Sequence, residues 1–371
     1  MVKQWQIAPA APADFLPAGL SSVAAHLLYN RGFRSEQQIH YFLNPEEQTK
    51  DFDPFLFNNM RAAVELTVQH LKKGSRIVIC GDYDADGVTS SAIMAETLKV
   101  LGGKIDVWIP SRFGEGYGLN KNIIEELSKQ NVALIITVDN GVRAKEEVAY
   151  ARSLGMDVIV TDHHEGPAEQ NELPDCLVIN PILASEAYPF KYLCGAGVAY
   201  KFAAALIDSS TLAVETKESL KRRVVDLAAV GTISDCVSLS GENRLIVKQG
   251  LELLRKSPRR GLRELMEVAA INYSDINAWN ISWQITPRLN AAGRIDHANA
   301  AYALLAAQSS EDARQLAADL NDKNIERQQM TEKLMMAGCE LVEAEQMNET
   351  LLAVTSPDLR GGTESWPEGI I

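Results

Sequence analysis

From residue 75 onward, short apolar runs alternate with segments in which apolar residues recur at helical spacing. The apolar runs have the length of buried strands, and the segments between them are long enough for helices. In chain order the predicted elements are SRIVIC, SSAIMAETLKVLG, KIDVWIP, NKNIIEELSKQ, ALIITV, AKEEVAYARSLG and DVIVT. This alternation is typical of β-α-β units, so the sequence predicts an α/β fold with a parallel sheet flanked by helices.

The pattern changes on both sides of this region. Before it, SSVAAHLLYNRGF and NNMRAAVELTVQHLKK have helical spacing. After it, from about residue 197, the chain is mostly helical in pattern, and SSEDARQLAADLNDKNIERQQMTEKLMMAGCELVEAEQ predicts one long helix or a bent pair. TLLAVTSPD then has the pattern of a strand. We therefore predict a helical cap at 1–74, the α/β domain at 75–255, a helical region and interdomain connector at 256–345, and the start of a second α/β domain at 346–371.

Acidic or histidine-bearing turns directly follow three of the predicted strands. The groups are Asp82, Asp84 and Asp86 after the first strand, Asp139 after the third, and Asp162, His163 and His164 after the fourth. A further carboxylate, Asp235, closes LAAVGTISDC after a predicted helix. Because parallel strands bring their carboxyl ends to the same edge of a sheet, we expect these side chains to converge.

The stretch GDYDADGVTSSAI places three carboxylates on alternate residues, where like charges raise one another's pKa. It matches the EF-hand pattern through Gly87, but the glutamate that such a loop requires is replaced by Ile93, and a strand precedes the loop. Carboxylates with imidazole and without thiolates suit Mn²⁺ or Mg²⁺. Two such ions about 4 Å apart, bridged by a shared carboxylate, are a common arrangement for phosphoester hydrolysis.

Taken singly, some of these residues have simpler explanations. Asp139 stands in VDNG, which favours a tight turn, and Asp235 has the position of a helix cap. His163 and His164 are less easily explained, since the chain has six histidines and two of them are adjacent after a strand. The whole set together favours a metal centre.

Two basic segments have the composition of phosphate contacts. Arg112 in SRFGEGYG, and Arg288 and Arg294 in PRLNAAGR, stand among glycines or small residues that allow close approach to a phosphate. Taken alone, an arginine in such a segment is more often a partner in a surface ion pair. Phe113 and Tyr117 fit either stacking on bases or packing in the core.

Composition sets wide bounds on the function. The chain has 371 residues, 46% of them hydrophobic and 23% charged, as expected for a globular protein of about two domains. Its net charge of −13 does not exclude a nucleic-acid partner, because bound cations reverse the sign of an acidic site. The N-terminus has no signal-peptide pattern and no run of about 18 apolar residues occurs, which predicts a cytoplasmic protein without membrane contact. Five cysteines without a C-x-x-C pair indicate neither a disulfide framework nor a structural zinc site.

The motifs GDYDADG, VDNG, TDHHEGP and GTISDCVSL, in this order, resemble the four motifs of the DHH phosphoesterases. RFGEGYGLN and PRLNAAGRID resemble segments of the RecJ family within that superfamily, and the resemblance runs from about residue 15 to the end. It implies a metal-dependent exonuclease that degrades single-stranded DNA in the 5′-to-3′ direction to 5′-mononucleotides, in DNA repair and recombination. A single-strand-binding protein and a helicase are further candidate partners.

The resemblance also implies roles for individual residues. The ligands of two Mn²⁺ or Mg²⁺ ions would be Asp82, Asp84, Asp86, Asp139, His163 and Asp235, with Asp139 bridging the ions. Asp162 and His164 would orient the ligands or the scissile phosphate and complete the catalytic group with Asp139 and His163. The contacts to nucleic acid would be Arg112, Tyr117, Arg288, Asn290 and Arg294.

Two alternatives share parts of this pattern. A DHH phosphodiesterase for short oligonucleotides or cyclic dinucleotides has the same metal motifs, and a non-catalytic DHH scaffold protein has the same fold. The N-terminal cap and PRLNAAGR favour the exonuclease, and the complete set of acidic motif residues argues against the scaffold. In the RecJ family a segment resembling WPEGII leads into a further domain. The end at Ile371 therefore predicts a truncated form with a poorly ordered C-terminal segment and weak, poorly processive activity.

Overall fold

The structure is a computed structural model that describes residues 6–12, 15, 19–110, 118–256, 258–295 and 299–344. Its centre is a sheet of five parallel strands: β1 (Arg76–Cys80), β2 (Lys104–Trp108), β3 (Val132–Val138), β4 (Asp157–Thr161) and β5 (Leu177–Ile179). Their spatial order is β2-β1-β3-β4-β5. The predicted parallel α/β sheet is confirmed, while the second domain predicted at 346–371 lies outside the described residues.

Helices cover both faces of the sheet. Those before and between the strands are α1 (Ser22–Asn30), α2 (Glu36–Leu43), α3 (Met60–Lys73), α4 (Ala85–Val100), α5 (Lys121–Lys129) and α6 (Lys145–Ser153). Those after the sheet are α7 (Gly195–Ser209), α8 (Val214–Ser234), α9 (Gly241–Lys256), α10 (Arg260–Val268), α11 (Ala278–Asn280), α12 (Thr286–Ile295), α13 (Asn299–Ala306) and α14 (Ser310–Ala344). A π-helical turn at Ile281–Ile285 joins α11 to α12, and short 3-10 turns lie at Pro45–Phe52, Pro54–Leu56, Gln170–Glu172 and Tyr273–Asp275.

Two hydrophobic cores form because successive side chains of a strand point to opposite faces of the sheet. Along β1, Ile77 and Ile79 enter the core with α4, α7 and α8, whereas Val78 and Cys80 enter the core with α5 and α6. Burial on both faces explains why β1 and β3 are almost entirely apolar. Strand β2 lies at the edge of the sheet and is correspondingly more polar and more exposed.

The larger core extends from the cap to the long C-terminal helix. It contains Phe57 from the predicted cap and Leu320 from α14, so a single core includes residues on both sides of the boundaries predicted at residues 74 and 255. Those boundaries stay predictions. The long polar-rich pattern forms one helix, α14, and not a bent pair. Within the described ranges, none of the helices combines the length and the apolar character needed to cross a membrane.

Candidate metal centre

The predicted site residues lie at the carboxyl edge of the sheet, beside the point where the strand order reverses. Strands β1 and β3 are neighbours although β2 separates them in sequence, and open α/β sheets bind ligands at such a reversal. The N–H of Asp139 donates to Thr161 O at 3.0 Å, and the N–H of Asp162 donates to Ile179 O at 3.0 Å. Both aspartates therefore stand at the first position beyond their strands, held by the last bonds of the ladder.

The turn after β1 is shaped by the first turn of α4. Oδ1 of Asp84 accepts the N–H groups of Asp86 at 2.9 Å and Gly87 at 3.0 Å, so Asp84 is the N-cap and Asp86 lies inside the helix. The predicted helix start at Ser90 was wrong by five residues. Gly87 indicated a loop in the sequence, but a Cβ there would lie 2.5 Å from Asp82 O, so the glycine permits close packing within a helix.

The N-terminus of α7 holds Asp86. The N–H of Gly195 donates to Asp86 Oδ2 at 2.6 Å, and the N–H of Ala196 donates to Asp86 Oδ1 at 2.9 Å. The first N–H groups of a helix have no partner within the helix and lie at its positive end, so they stabilise the carboxylate of Asp86. The sequence pattern did not predict that Gly195 and Ala196 belong to the site. The small residues in CGAG just before a helical segment were the signal that could have indicated a close approach.

His163 lies among three carboxylates that come from different elements. Its Nε2 is 3.1 Å from Asp139 Oδ1 and 3.8 Å from Asp86 Oδ2, and its Nδ1 is 3.7 Å from Asp235 Oδ2. Asp235 is the C-cap of α8, so the helix end delivers this carboxylate to the edge of the sheet. The structure thus brings together residues separated by more than half of the predicted α/β domain.

Asp162 binds the backbone of both histidines that follow it and the side chain of His164. Its Oδ1 accepts the backbone N–H of His163 at 2.7 Å and of His164 at 3.1 Å, and lies 2.7 Å from His164 Nδ1. Its Oδ2 accepts the N–H of Val142 at 2.9 Å. Burial raises the pKa of Asp162, but the hydrogen bond and charge of His164 outweigh it, so the pKa is lowered. The same hydrogen bond raises the pKa of His164.

Three other aspartates of the cluster, Asp82, Asp139 and Asp235, have raised pKa values. Burial, with the charge of Asp84, raises the pKa of Asp82 to about 7. Burial and the neighbouring aspartates raise the pKa of Asp235 to about 8 and that of Asp139 well above its ordinary value. Such raised values are expected where carboxylates crowd without a cation between them.

Three sets of donor atoms in this cluster lie within 4.8 Å of one another and could hold a cation. The sets are Asp82, Asp84 and Asp139; Asp139, His163 and His164; and Asp86, His163 and Asp235. Asp139 and His163 each belong to two sets, which suits neighbouring ions that share ligands. The donors are carboxylate oxygens and imidazole nitrogens, as Mn²⁺ and Mg²⁺ prefer. The residues therefore fit the predicted two-ion centre.

We expect the cation-free protein to lose stability progressively as the pH rises from about 4 to about 8. Asp82 and Asp235 have pKa values of about 7 and about 8 when folded, against 3.8 ordinarily, so the folded state binds more protons than the unfolded state in this range. Stability present at low pH is then lost as pH rises through the folded values. Bound Mn²⁺ should abolish this loss. Thermal unfolding in EDTA and in Mn²⁺ tests it, and the same pH dependence in both would contradict the assignment.

Comparison with known proteins identifies the family. The family described as "DHH family, N-terminal domain" matches residues 76–232. A crystal structure of exonuclease RecJ bound to manganese is 35% identical with a TM-score of 0.69, over 76% of this chain and 69% of that chain. The chain belongs to the RecJ family. The family resemblance found in the motifs is thereby confirmed.

Other RecJ proteins are longer than this chain. The RecJ single-stranded-DNA-specific exonuclease of Bacillus subtilis is 40% identical over 95% of the chain, which spans 42% of that protein. The RecJ exonuclease of Escherichia coli is 34% identical over 96% of the chain, which spans 61% of it. RecJ of Thermus thermophilus in complex with Mn²⁺ is 32% identical, with a TM-score of 0.70 over 85% of the chain and 44% of that protein.

The nucleic-acid contacts expected from the RecJ resemblance are only partly described by the structure. Arg112, Phe113 and Tyr117 lie outside the described residues, as does the side chain of Arg294. Arg288 is half-buried and donates to Asn321 Oδ1 at 3.1 Å and to Gln284 O at 2.7 Å. Asn290 faces the metal centre, since its Oδ1 accepts the N–H of Ala85 at 2.7 Å. The DNA contacts of these residues stay predictions.

Proposed function

We propose that this RecJ-family chain is a metal-dependent exonuclease that hydrolyses single-stranded DNA in the 5′-to-3′ direction and releases 5′-mononucleotides. The observation that carries the proposal is the sharing of Asp139 and His163 between adjacent sets of cation donors. The relatives named single-stranded-DNA-specific exonuclease support the substrate, and the manganese-bound and magnesium-bound RecJ structures support the choice of cation.

The proposed roles of the residues follow from their positions. Bound cations would lower the pKa of the attacking water and neutralise charge on the phosphoryl oxygens. Asp139, which belongs to two of the donor sets, would be a ligand shared by two cations, and Asp82 and Asp86 would be ligands in different sets. Asp162, which accepts the backbone N–H of His163, would hold this residue beside the cations. His164, partly exposed and with a raised pKa, is placed to donate a hydrogen bond to the scissile phosphate.

The cellular role, location and protein partners that we propose rest on the similarity to the RecJ relatives. We infer a role in DNA repair and recombination in the cytoplasm, with a single-strand-binding protein and a helicase as partners. Binding of this chain to a purified single-strand-binding protein, measured with and without DNA, tests the first partnership.

The activity is tested with single-stranded DNA labelled at either end, in Mn²⁺. We expect label at the 5′ end to appear as mononucleotide before label at the 3′ end is released, with duplex DNA resistant. The rival activity, a phosphodiesterase for short oligonucleotides or cyclic dinucleotides, predicts faster turnover of dinucleotides than of long strands. That result, or cleavage independent of a divalent cation, would contradict the proposal.

Replacing Arg288 with alanine should weaken binding of single-stranded DNA by about 1–3 kcal/mol and reduce its salt dependence by about one phosphate contact. Arg288 lies on α12 two residues before Asn290, and its guanidinium contacts Asn321 on α14 and the carbonyl of Gln284. Fluorescence anisotropy in EDTA at several salt concentrations measures both effects. Lys256→Ala, an exposed cation on α9, is the control. If the salt dependence of DNA binding is unchanged in Arg288→Ala, Arg288 does not contact the phosphates and only links α12 to α14.

A further inference from the structure

Helix α12 contacts the turn that carries the first three aspartates. Asn290 Oδ1 accepts the N–H of Ala85 at 2.7 Å, although the two residues are 205 positions apart. Gly293 lies nearly one helical turn later, and a Cβ there would come within 2.8 Å of the backbone oxygen of Tyr83. Both contacts fall on the backbone between Asp82 and Asp86. Helix α12 therefore packs directly on the ligand-bearing turn.

The contact completes the N-terminus of α4. The first N–H groups of a helix have no partner within the helix. Asp84 Oδ1 accepts two of these, from Asp86 and Gly87, and Asn290 accepts the one from Ala85. The acceptor for Ala85 thus comes from a distant part of the chain. Because an amide is neutral, it makes this bond without adding negative charge to the aspartate cluster.

We propose that Asn290 is a positioning residue of the metal centre. Its amide oxygen fixes Ala85, and this bond sets the relative positions of Asp84 and Asp86, which flank Ala85 in the chain. The inference rests on the proposed function only in taking these aspartates as cation ligands. It differs from the role expected from the sequence, in which Asn290 contacts nucleic acid.

The test compares three substitutions that treat the acceptor oxygen differently. Asn290→Asp keeps the oxygen in place and adds a negative charge, which does not repel a cation. Asn290→Gln moves the oxygen by one methylene, and Asn290→Leu removes it at similar volume. We expect Mn²⁺ affinity, measured by calorimetry without DNA, to fall about 10- to 100-fold for Leu and Gln and to stay near wild type for Asp. Gln284→Ala, whose side chain contacts Asn280 on the same helical segment, is the control.

Single-stranded DNA binding in EDTA separates the competing roles. Positioning predicts unchanged DNA binding in the Gln and Leu variants, which carry no added charge, together with the loss of Mn²⁺ affinity in both. Weakened DNA binding with unchanged Mn²⁺ affinity would overturn the proposal in favour of a DNA contact. A lower melting temperature with unchanged Mn²⁺ affinity would overturn it in favour of a helix cap alone. Should the Leu variant not fold, Gln against Asp decides. None of these measurements depends on nuclease activity, so a failure of this proposal can be distinguished from a failure of the proposed function.

Discussion

Replacing Asp139 with asparagine should lower Mn²⁺-dependent hydrolysis of single-stranded DNA by about 10³-fold, equivalent to about 4 kcal/mol of transition-state stabilisation. Asp139 belongs to two of the three sets of cation donors, so its charge acts on both cation positions. Asparagine is the informative choice because Asp139 has a φ of 62°, a left-handed conformation that asparagine adopts readily and alanine does not. The substitution therefore removes charge with little change in the backbone. Initial rates and bound Mn²⁺ per chain are the measurements.

The control for Asp139 is a carboxylate at the opposite edge of the sheet. Asp175 precedes β5, is 94% exposed and pairs with Arg152, so Asp175→Asn should keep wild-type rate and metal content. Circular dichroism should show the fold intact in both variants. Near-normal turnover of Asp139→Asn with unchanged Mn²⁺ content would contradict a centre in which Asp139 is shared.

The elements with regular apolar patterns could be predicted from the sequence. Strands β1, β3 and β4 were found because both of their faces are covered, which makes them almost continuously apolar, and the more polar edge strand β2 was found from its place in the alternation with helices. Strand β5 has three residues, too few for a pattern to stand out from its surroundings. The start of α4 was missed for a different reason. Its cap is formed by an aspartate that also serves as a predicted ligand, and glycine near a turn is an ambiguous signal.

The candidate ligands could also be predicted, because parallel strands place the residues that follow them at one edge. Apart from Asp162, the groups that hold the ligands could not. Gly195 and Ala196 contribute backbone N–H groups, which carry no side-chain signature, and Asn290 reaches the turn from a helix 205 residues away. Such contacts depend on tertiary packing, so periodicity and strand order do not reveal them. Only the structure therefore shows that Gly195, Ala196 and Asn290 contact the ligand-bearing segments.

The clearest test of the contact between α7 and the aspartates is Gly195→Ala, which we expect to destabilise the fold by about 1–3 kcal/mol and to reduce Mn²⁺ affinity. A Cβ at Gly195 would lie 2.6 Å from Cβ, Cγ and Oδ1 of Asp139, closer than such atoms approach. Asp139 follows β3 directly, and its N–H is bonded to Thr161 O, so it cannot move away without breaking the ladder. The N-terminus of α7 must then withdraw and weaken its bonds to Asp86.

The direction of this effect is informative because alanine is a better helix former than glycine by about 1 kcal/mol, so helix propensity alone predicts stabilisation of Gly195→Ala. The matched control is Gly197→Ala in the same helical turn, where a Cβ would meet the side chain of Leu193, at 3.0 Å from Cδ2 and 3.3 Å from Cβ, and no atom of Asp139 at so short a distance. We expect this control to keep Mn²⁺ affinity. Chemical denaturation in EDTA and calorimetry with Mn²⁺ measure the two effects. Wild-type Mn²⁺ affinity in Gly195→Ala would show that the contact between α7 and the aspartates does not shape the metal centre.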